Sequence, residues 1–346
     1  MLLLGLGTTS LAALESLSER FDVVGIVRRP EPADDPCVVR ASALGVPVVP
    51  DVSVAAVERL VATTRPDCVV VSSYDRILAE PLLARVPFVN VHYSALPQYR
   101  GRANVNWAII NGEVETAISI HVMAPGLDEG NILFQQATQI EPRASVGDLY
   151  DRLNGIQRRQ LGPAVERFLD GYTGKEQDET QASWGCTRLP GDGAIDWTET
   201  TEAIDRLVRG VSEPFPGAFT HLDGRRVWVW RAEPVEQPRR YAGRVPGRVV
   251  GRSLDEGWVD VLTGDGVLRL MEIQLEDQER SDAASVIRSV KVSLGISLPG
   301  LLERIHALEG RVAELEAGQA HTTADAGPPD VAGGPNVSGG ANRGQA

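Results

Sequence analysis

Two polar side chains two residues apart raise the question of chemistry. Asn90 and His92 close the apolar run FVNVH. On an extended strand, residues i and i+2 face the same way, so an amide and an imidazole are presented together. An acid, Asp128, follows in the turn-forming stretch APGLDEG, after a second apolar run, AISIHVM. An amide N–H stabilises a developing oxyanion without titrating, by roughly 3 kcal/mol. An imidazole moves protons near neutral pH, for about 10² to 10⁴ in rate. A carboxylate holds the ring in orientation and favours its charged form. One of each suffices for acyl transfer to an amine, with neither a metal nor a covalent intermediate. The amine loses a proton as it attacks, the former carbonyl oxygen becomes negative, and the leaving nitrogen gains a proton. On spacing alone, an Asn-x-His pair is more often structural than catalytic.

Positioning such a set needs a rigid frame, and the first half of the chain has the pattern of one. Residues 2–5, 23–27, 68–72, 88–92 and 118–123 are short apolar runs, while 10–20, 54–64 and 104–111 have helical spacing. This alternation predicts an α/β fold, a mostly parallel open sheet of Rossmann-like type with helices on both faces. Ligands of such sheets sit beyond the carboxyl ends of the strands, where Asn90 and His92 fall. The turn GLGTTS after the first strand has Ser10 where a dinucleotide fingerprint needs its third glycine. Arg28 and Arg29 stand where that fingerprint needs an acid, so NAD binding is not expected.

The second half reads differently. From Trp184 short strands alternate with turns, and TGDG at 263–266, between two apolar runs, is a hairpin signal. A first, α/β domain over 1–183 is therefore followed by a small OB-like β-barrel over 184–296. Leu301, Ile305, Leu308, Val312 and Leu315 then alternate in steps of four and three. That is a short heptad seam, a coiled-coil helix over 297–318 through which the chain is expected to form a homo-oligomer. A single helix docked on its own domain is the alternative, because two heptads are marginal alone. After Gly318 Gly and Ala predominate, with Pro, Thr and Asn and almost no large apolar residue, and a disordered tail over 319–346 is expected.

Composition narrows the function classes. The 346 residues suffice for two cores, and the 42% apolar share is ordinary for a globular protein. A net charge of -13 disfavours non-specific attraction to nucleic acid and to anionic lipid. Cys37, Cys68 and Cys186 are far apart and form no CxxC pair, which fits free thiols in a reducing cytoplasm. The start MLLLGLGTTS lacks a basic region and a cleavage site, and no run reaches the ~20 apolar residues of a membrane helix. A cytoplasmic protein with no membrane contact is expected.

The segments around the three polar residues closely resemble the folate-dependent formyltransferase family. Its hallmark is Asn-x-His, then a Ser-x-Leu-Pro-x-Tyr-Arg-Gly loop, then a distant Leu-Asp-x-Gly. Here these are Asn90 and His92, residues 94–101, and residues 127–130. WGCTRLPGDGAIDW and VRGVSEPFPGAFT resemble the family's link and entry to its C-terminal β domain, and GDGVLRLMEIQ its end. The resemblance implies catalysis by Asn90, His92 and Asp128, with 10-formyltetrahydrofolate as co-substrate and no metal. It implies folate contacts at Arg76, Ile77 and Leu78, at Arg102, and along Ala124, Pro125, Gly126 and Leu127, many through backbone groups.

Family members differ in the amine they formylate. A tRNA acceptor calls for a basic surface and a basic insertion after the second strand, whereas RRPEPADDPCVVRASALGVPVVP is short and acid-balanced. YRGRANVNWAIINGE and SEPFPGAFT are most similar to the branch acting on nucleotide-linked amino sugars. A small-molecule amine, most of all a nucleotide-linked amino sugar, is the expected partner, and nucleic acid is not. Initiator methionyl-tRNA, and water in a 10-formyltetrahydrofolate hydrolase, are the alternatives. Trp107 and the second domain disfavour glycinamide ribonucleotide. His121, mid-strand, reads as a core residue with one hydrogen bond. Arg100 either contacts substrate or holds its loop, and Asp75 and Glu113 read as solvated or capping charges.

Overall fold

The computed structural model describes residues 1–296 and 298–324, with side chains of 298, 299 and 317–324 left aside. Met1–Gly295 forms one compact unit, and residues from Ile296 on form another.

The first sheet is built from β1 (Leu2–Gly5), β2 (Gly25–Val27), β3 (Val48–Val49), β4 (Val69–Ser72) and β5 (Phe88–His92), all parallel. A two-residue strand β6 (Arg100–Gly101) stands apart from it, and β7 (Glu115–Val122) and β8 (Ile132–Gln139) complete it in antiparallel register, in the order β3-β2-β1-β4-β5-β7-β8. Between the strands run α1 (Gly7–Ser18), α2 (Pro36–Ala43), α3 (Val54–Thr64), α4 (Glu80–Leu83), α5 (Asn104–Ile110) and α6 (Val146–Leu169). The alternation of side chains along each strand divides them between two cores. Leu3, Ile26, Val70 and Val89 pack on one face with α1, α5 and α6. Leu2, Leu4, Val69, Val71 and Phe88 pack on the other with α3 and α4. Burial on both faces is why these strands are unbroken apolar runs rather than alternating ones. The expected mostly parallel sheet is thus present.

Strand order reverses at β1: the chain builds outward to β3, then crosses to β4 on the other side. A crevice forms at such a switch point, beyond the carboxyl ends of the strands. The ends of β1, β4 and β5 all open there.

The second half begins with β9 (Trp184–Gly185), which pairs with β6, and α7 (Thr201–Gly210). Then come β10 (Ala218–Leu222), β11 (Arg225–Pro234), β12 (Val249–Arg252), β13 (Val259–Leu262), β14 (Val267–Leu275), β15 (Arg280–Asp282) and α8 (Ala283–Val286). They form one antiparallel sheet in the order β10-β11-β14-β13-β12, with β15 sharing the β13 edge of β14. The TGDG hairpin lies between β13 and β14, closed by the Thr263 N–H donating to the Gly266 carbonyl at 3.1 Å. The expected C-terminal β domain is thus present, and among the described residues no strand pair joins β10 to β12, so its sheet does not close into a barrel. Its inner face is covered instead by α7 and α8, through Ile204, Val208, Ala283 and Ala284.

The last helix, α9, runs Leu298–Ala324, six residues past the expected end at 318. The remainder of the expected tail, from residue 325, lies outside the described residues. No described helix is long and apolar enough to cross a membrane.

Candidate active site

Asn90 and His92 sit at the carboxyl end of β5 and point to one side, as their spacing requires. The antiparallel register of β5 with β7 places His121 directly across from Asn90. Asp128 comes from the β7–β8 loop and adopts φ +54°, a left-handed conformation costing of order 1 kcal/mol for a residue with a Cβ. The structure brings all four together. His92 Nδ1 is 3.5 Å from Asp128 Oδ2, and His121 Nε2 is 3.5 Å from Asp128 Oδ1. The Asn90 amide lies 3.1 Å from His121 Nε2 and donates to Asp128 Oδ1 at 3.3 Å.

Hydrogen bonds fix the proton on His92. Its Nε2 faces the Tyr99 carbonyl at 2.8 Å, with the Asn104 side-chain amide farther off at 3.2 Å. A carbonyl only accepts, so Nε2 carries the hydrogen, and in the neutral ring Nδ1 is the open basic nitrogen. Burial pushes this imidazole below its ordinary value of 6.5, and the Asp128 carboxylate and Tyr99 carbonyl only partly offset it. Burial would also raise Asp128, but the His121 and His92 rings and the Gly101 N–H hold its carboxyl well below the usual carboxylate range. The site therefore holds a carboxylate beside a neutral imidazole at neutral pH. Such a set can take a proton at Nδ1, stabilise the resulting cation, and donate an amide hydrogen to an oxyanion.

A further layer holds Asp128 in place. The Gly101 N–H donates to Asp128 Oδ2 at 2.8 Å. The Gln177 amide donates to the carbonyls of Asp128 at 2.7 Å and Gly130 at 2.8 Å. Gln177 in turn accepts from Arg100 at 2.9 Å, and Arg100 forms a two-pronged pair with Glu179 at 2.6 and 2.8 Å. Arg100 is fully buried and so holds its loop. Gly130 is required by space: a Cβ there would stand 1.8 Å from the Val122 carbonyl oxygen. Glu113 accepts the Tyr99 hydroxyl at 2.6 Å, and Asp75 pairs with Arg29 rather than standing solvated.

Asn90, His92, His121 and Asp128 line one side of a cleft of about 940 Å³. Every residue expected to contact folate lines it: Arg76, Ile77 and Leu78, Arg102, and Ala124 to Leu127. Ile77 is 92% exposed at the rim, while Leu78 is buried beneath it. The opposite wall comes from the second half, from Thr187 to Pro190 and Pro214 to Gly217, with Arg188 stacked over Trp107 at 5.0 Å. Sequence reasoning missed Gln177 and this wall, and gave His121 too small a part. His121 is buried and hydrogen-bonded as expected, but its partners belong to the site.

Residues 28–165 match the family model described as formyl transferase, and residues 190–291 match that of the formyl transferase C-terminal domain. A methionyl-tRNA formyltransferase of Syntrophus aciditrophicus (strain SB) is 34% identical over 271 residues, 76% of this chain and 84% of that protein. HypX from Aquifex aeolicus, solved in complex with tetrahydrofolic acid, superposes with a TM-score of 0.62 at 18% identity, over 84% of this chain and 47% of its own. An N-formyltransferase from Helicobacter canadensis, solved with folinic acid and dTDP-3-aminofucose, gives a TM-score of 0.58 at 16% identity, over 81% and 98%. At these identities the two superpositions are likenesses of fold.

Proposed function

Because the chain belongs to the folate-dependent formyltransferase family, we propose that it moves the formyl group of 10-formyltetrahydrofolate onto the primary amine of a nucleotide-linked amino sugar, using Asn90, His92 and Asp128. The observation carrying the chemistry is His92 Nδ1, left basic by the Nε2 contact with the Tyr99 carbonyl and 3.5 Å from the Asp128 carboxylate. The amine attacks the formyl carbon and a C–N bond forms. His92 Nδ1 takes the amine proton, and the imidazolium so made is stabilised by the Asp128 carboxylate. The formyl oxygen becomes an oxyanion and draws an Asn90 N–H. That hydrogen is taken from the longer of the amide's two bonds, the one to Asp128, just as Asp128 turns to the new cation. The bond to the folate nitrogen then breaks, and His92 returns the proton to that nitrogen. Arg76 to Leu78, Arg102 and Ala124 to Leu127 are the folate side of the cleft in this reading.

Charge supports a small acceptor over a polyanion. The net charge is -13. After β2, Arg28 is buried and paired with Asp35 at 2.9 Å, so that connection offers less basic surface than its sequence suggests. The Helicobacter canadensis neighbour holds a nucleotide amino sugar. Initiator methionyl-tRNA is the second reading, favoured by the name of the 34% identical relative. Formyl donor is mixed in turn with nucleotide amino sugars, free amino acids and charged initiator tRNA, and the formylated product is weighed. Formylation of a sugar amine is expected. Turnover of charged tRNA alone, with a KM rising steeply with salt, replaces this reading with the second. Formate released without any amine makes the chain a cytoplasmic hydrolase.

A further inference from the structure

The exposed seam of α9 carries more than apolar side chains. Leu301, Ile305, Leu308, Val312 and Leu315 are between 41% and 62% exposed, an unusual state for five large aliphatic residues on one helix face. Steps of four and three place Leu301, Leu308 and Leu315 at d positions and Ile305 and Val312 at a positions. β-Branched residues at a with Leu at d favour two parallel strands over three or four. The flanking charges decide orientation. Arg304 and Arg311 fall at g, and Glu309 and Glu316 at e. In a parallel, in-register pair each g residue meets the e residue five positions on in the other helix. Arg304 then meets Glu309, and Arg311 meets Glu316, on both sides of the seam. In an antiparallel pair g meets g and e meets e, so Arg faces Arg and Glu faces Glu.

We infer that α9 is a parallel, in-register, two-stranded coiled coil, and that its occupant is a second copy of this chain. The complementarity is of seam and flank together: the same face that leaves five aliphatic residues in water carries opposite charges only for that partner and that orientation. Gly310 lies at f, facing away from the seam, where an added Cβ would meet nothing within 4 Å.

The test uses the full chain. Light scattering at micromolar concentration is expected to give twice the 37.3 kDa chain mass. Ile305→Lys with Val312→Lys is expected to give one chain mass with formyl transfer unchanged. Gly310→Ala, which raises helix propensity in both copies, is expected to tighten the dimer about tenfold or more. Orientation is read by mild oxidation in a Cys186→Ser background, since Cys186 is the exposed thiol. Leu315→Cys alone is expected to cross-link, because parallel register sets position 315 beside its own copy. A one-chain or three-chain mass for the unaltered protein overturns the inference. So does cross-linking that needs a mixture of Leu301→Cys and Leu315→Cys chains.

Discussion

The side of His92 that carries its hydrogen decides what the site can do. With Nε2 committed to the Tyr99 carbonyl, a neutral ring is a base at Nδ1. Its burial keeps it neutral, and Asp128 works against burial. Direct titration of the ring by NMR, tractable with five histidines, is therefore expected to give a value below 6.5. Asp128→Asn removes the anion that raises the ring, so the value should fall further, while kcat drops at least about a hundredfold. A His92 that titrates above 6.5 would mean that the carboxylate wins and that the resting ring is already a cation. The sign for stability is the same. Below pH 6.5 the unfolded chain binds a proton that folded His92 refuses, so stability declines as pH falls, until the folded value is reached. Gln177 holds the Asp128 and Gly130 carbonyls, so its influence is expected to pass through Asp128. Gln177→Ala frees the Asp128 and Gly130 carbonyls, and it should lower kcat about tenfold while the folate KM barely moves. A large rise in that KM with kcat intact would mean that Gln177 serves folate binding instead. The meeting of Asn90, His92 and Asp128 was legible through the family resemblance, whose motifs are each local in sequence. His121 was not, because its part depends on the β5–β7 register, which no local spacing encodes. Gln177 lies far along the chain from Asp128, in a stretch with no periodicity.

Elements were legible where burial is two-sided or caps are explicit, and obscure where packing overrides local preference. β1, α3 and β5 fall on the expected residues. Nothing was read over 132–169, which holds β8 and the longest helix of the first half, α6. β8 is an edge strand with an irregular burial pattern, so its alternation is faint. α6 contains Gly162 and Pro163, which argue against a helix in isolation. Gly162 is there for contact: a Cβ would stand 2.7 Å from the Ser16 carbonyl, so it lets α1 lie close. α2 shows a cap that also balances a buried charge. Asp35 accepts the N–H groups of Cys37 and Val38 at 2.9 and 3.0 Å and pairs with buried Arg28. Asp35→Ala removes both, and about 3 kcal/mol should be lost in urea unfolding. Replacing the pair together, Arg28→Met with Asp35→Ala, should restore most of it, because no buried cation is then stranded. A loss under about 1 kcal/mol for Asp35→Ala alone would show that Arg28 swings out to water.

At the scale of the molecule, the reading of two sheets was sound, but composition could not tell a closed barrel from an open sheet sealed by helices. Closure depends on which edges meet, and α7, not a strand, meets the face of the second sheet. α7 also ties the halves of the cleft together. Asp205 on α7 is buried and accepts from Arg143 at 2.9 Å and Arg209 at 2.8 Å. Arg143 also donates to the Ala232 carbonyl, and Arg209 to the Ala144 carbonyl, each at 2.8 Å. The Asn106 amide reaches the Gly210 carbonyl at 2.8 Å. One carboxylate thus anchors two arginines that stitch the first sheet's domain to the second, next to the wall formed by Val211 and Pro214 to Gly217. Asp205→Ala leaves those arginines without their anion and should cost about 2 kcal/mol or more. The consequence reaches the chemistry, because the cleft has one wall from each half. In the unaltered chain, formyl transfer and far-ultraviolet circular dichroism should be lost together across a urea series. In Asp205→Ala, transfer should disappear at lower urea than secondary structure, since the walls can part before either core melts. Coincident loss in the variant would mean that the halves are held by their apolar contact alone, with the Asp205 cluster incidental to it.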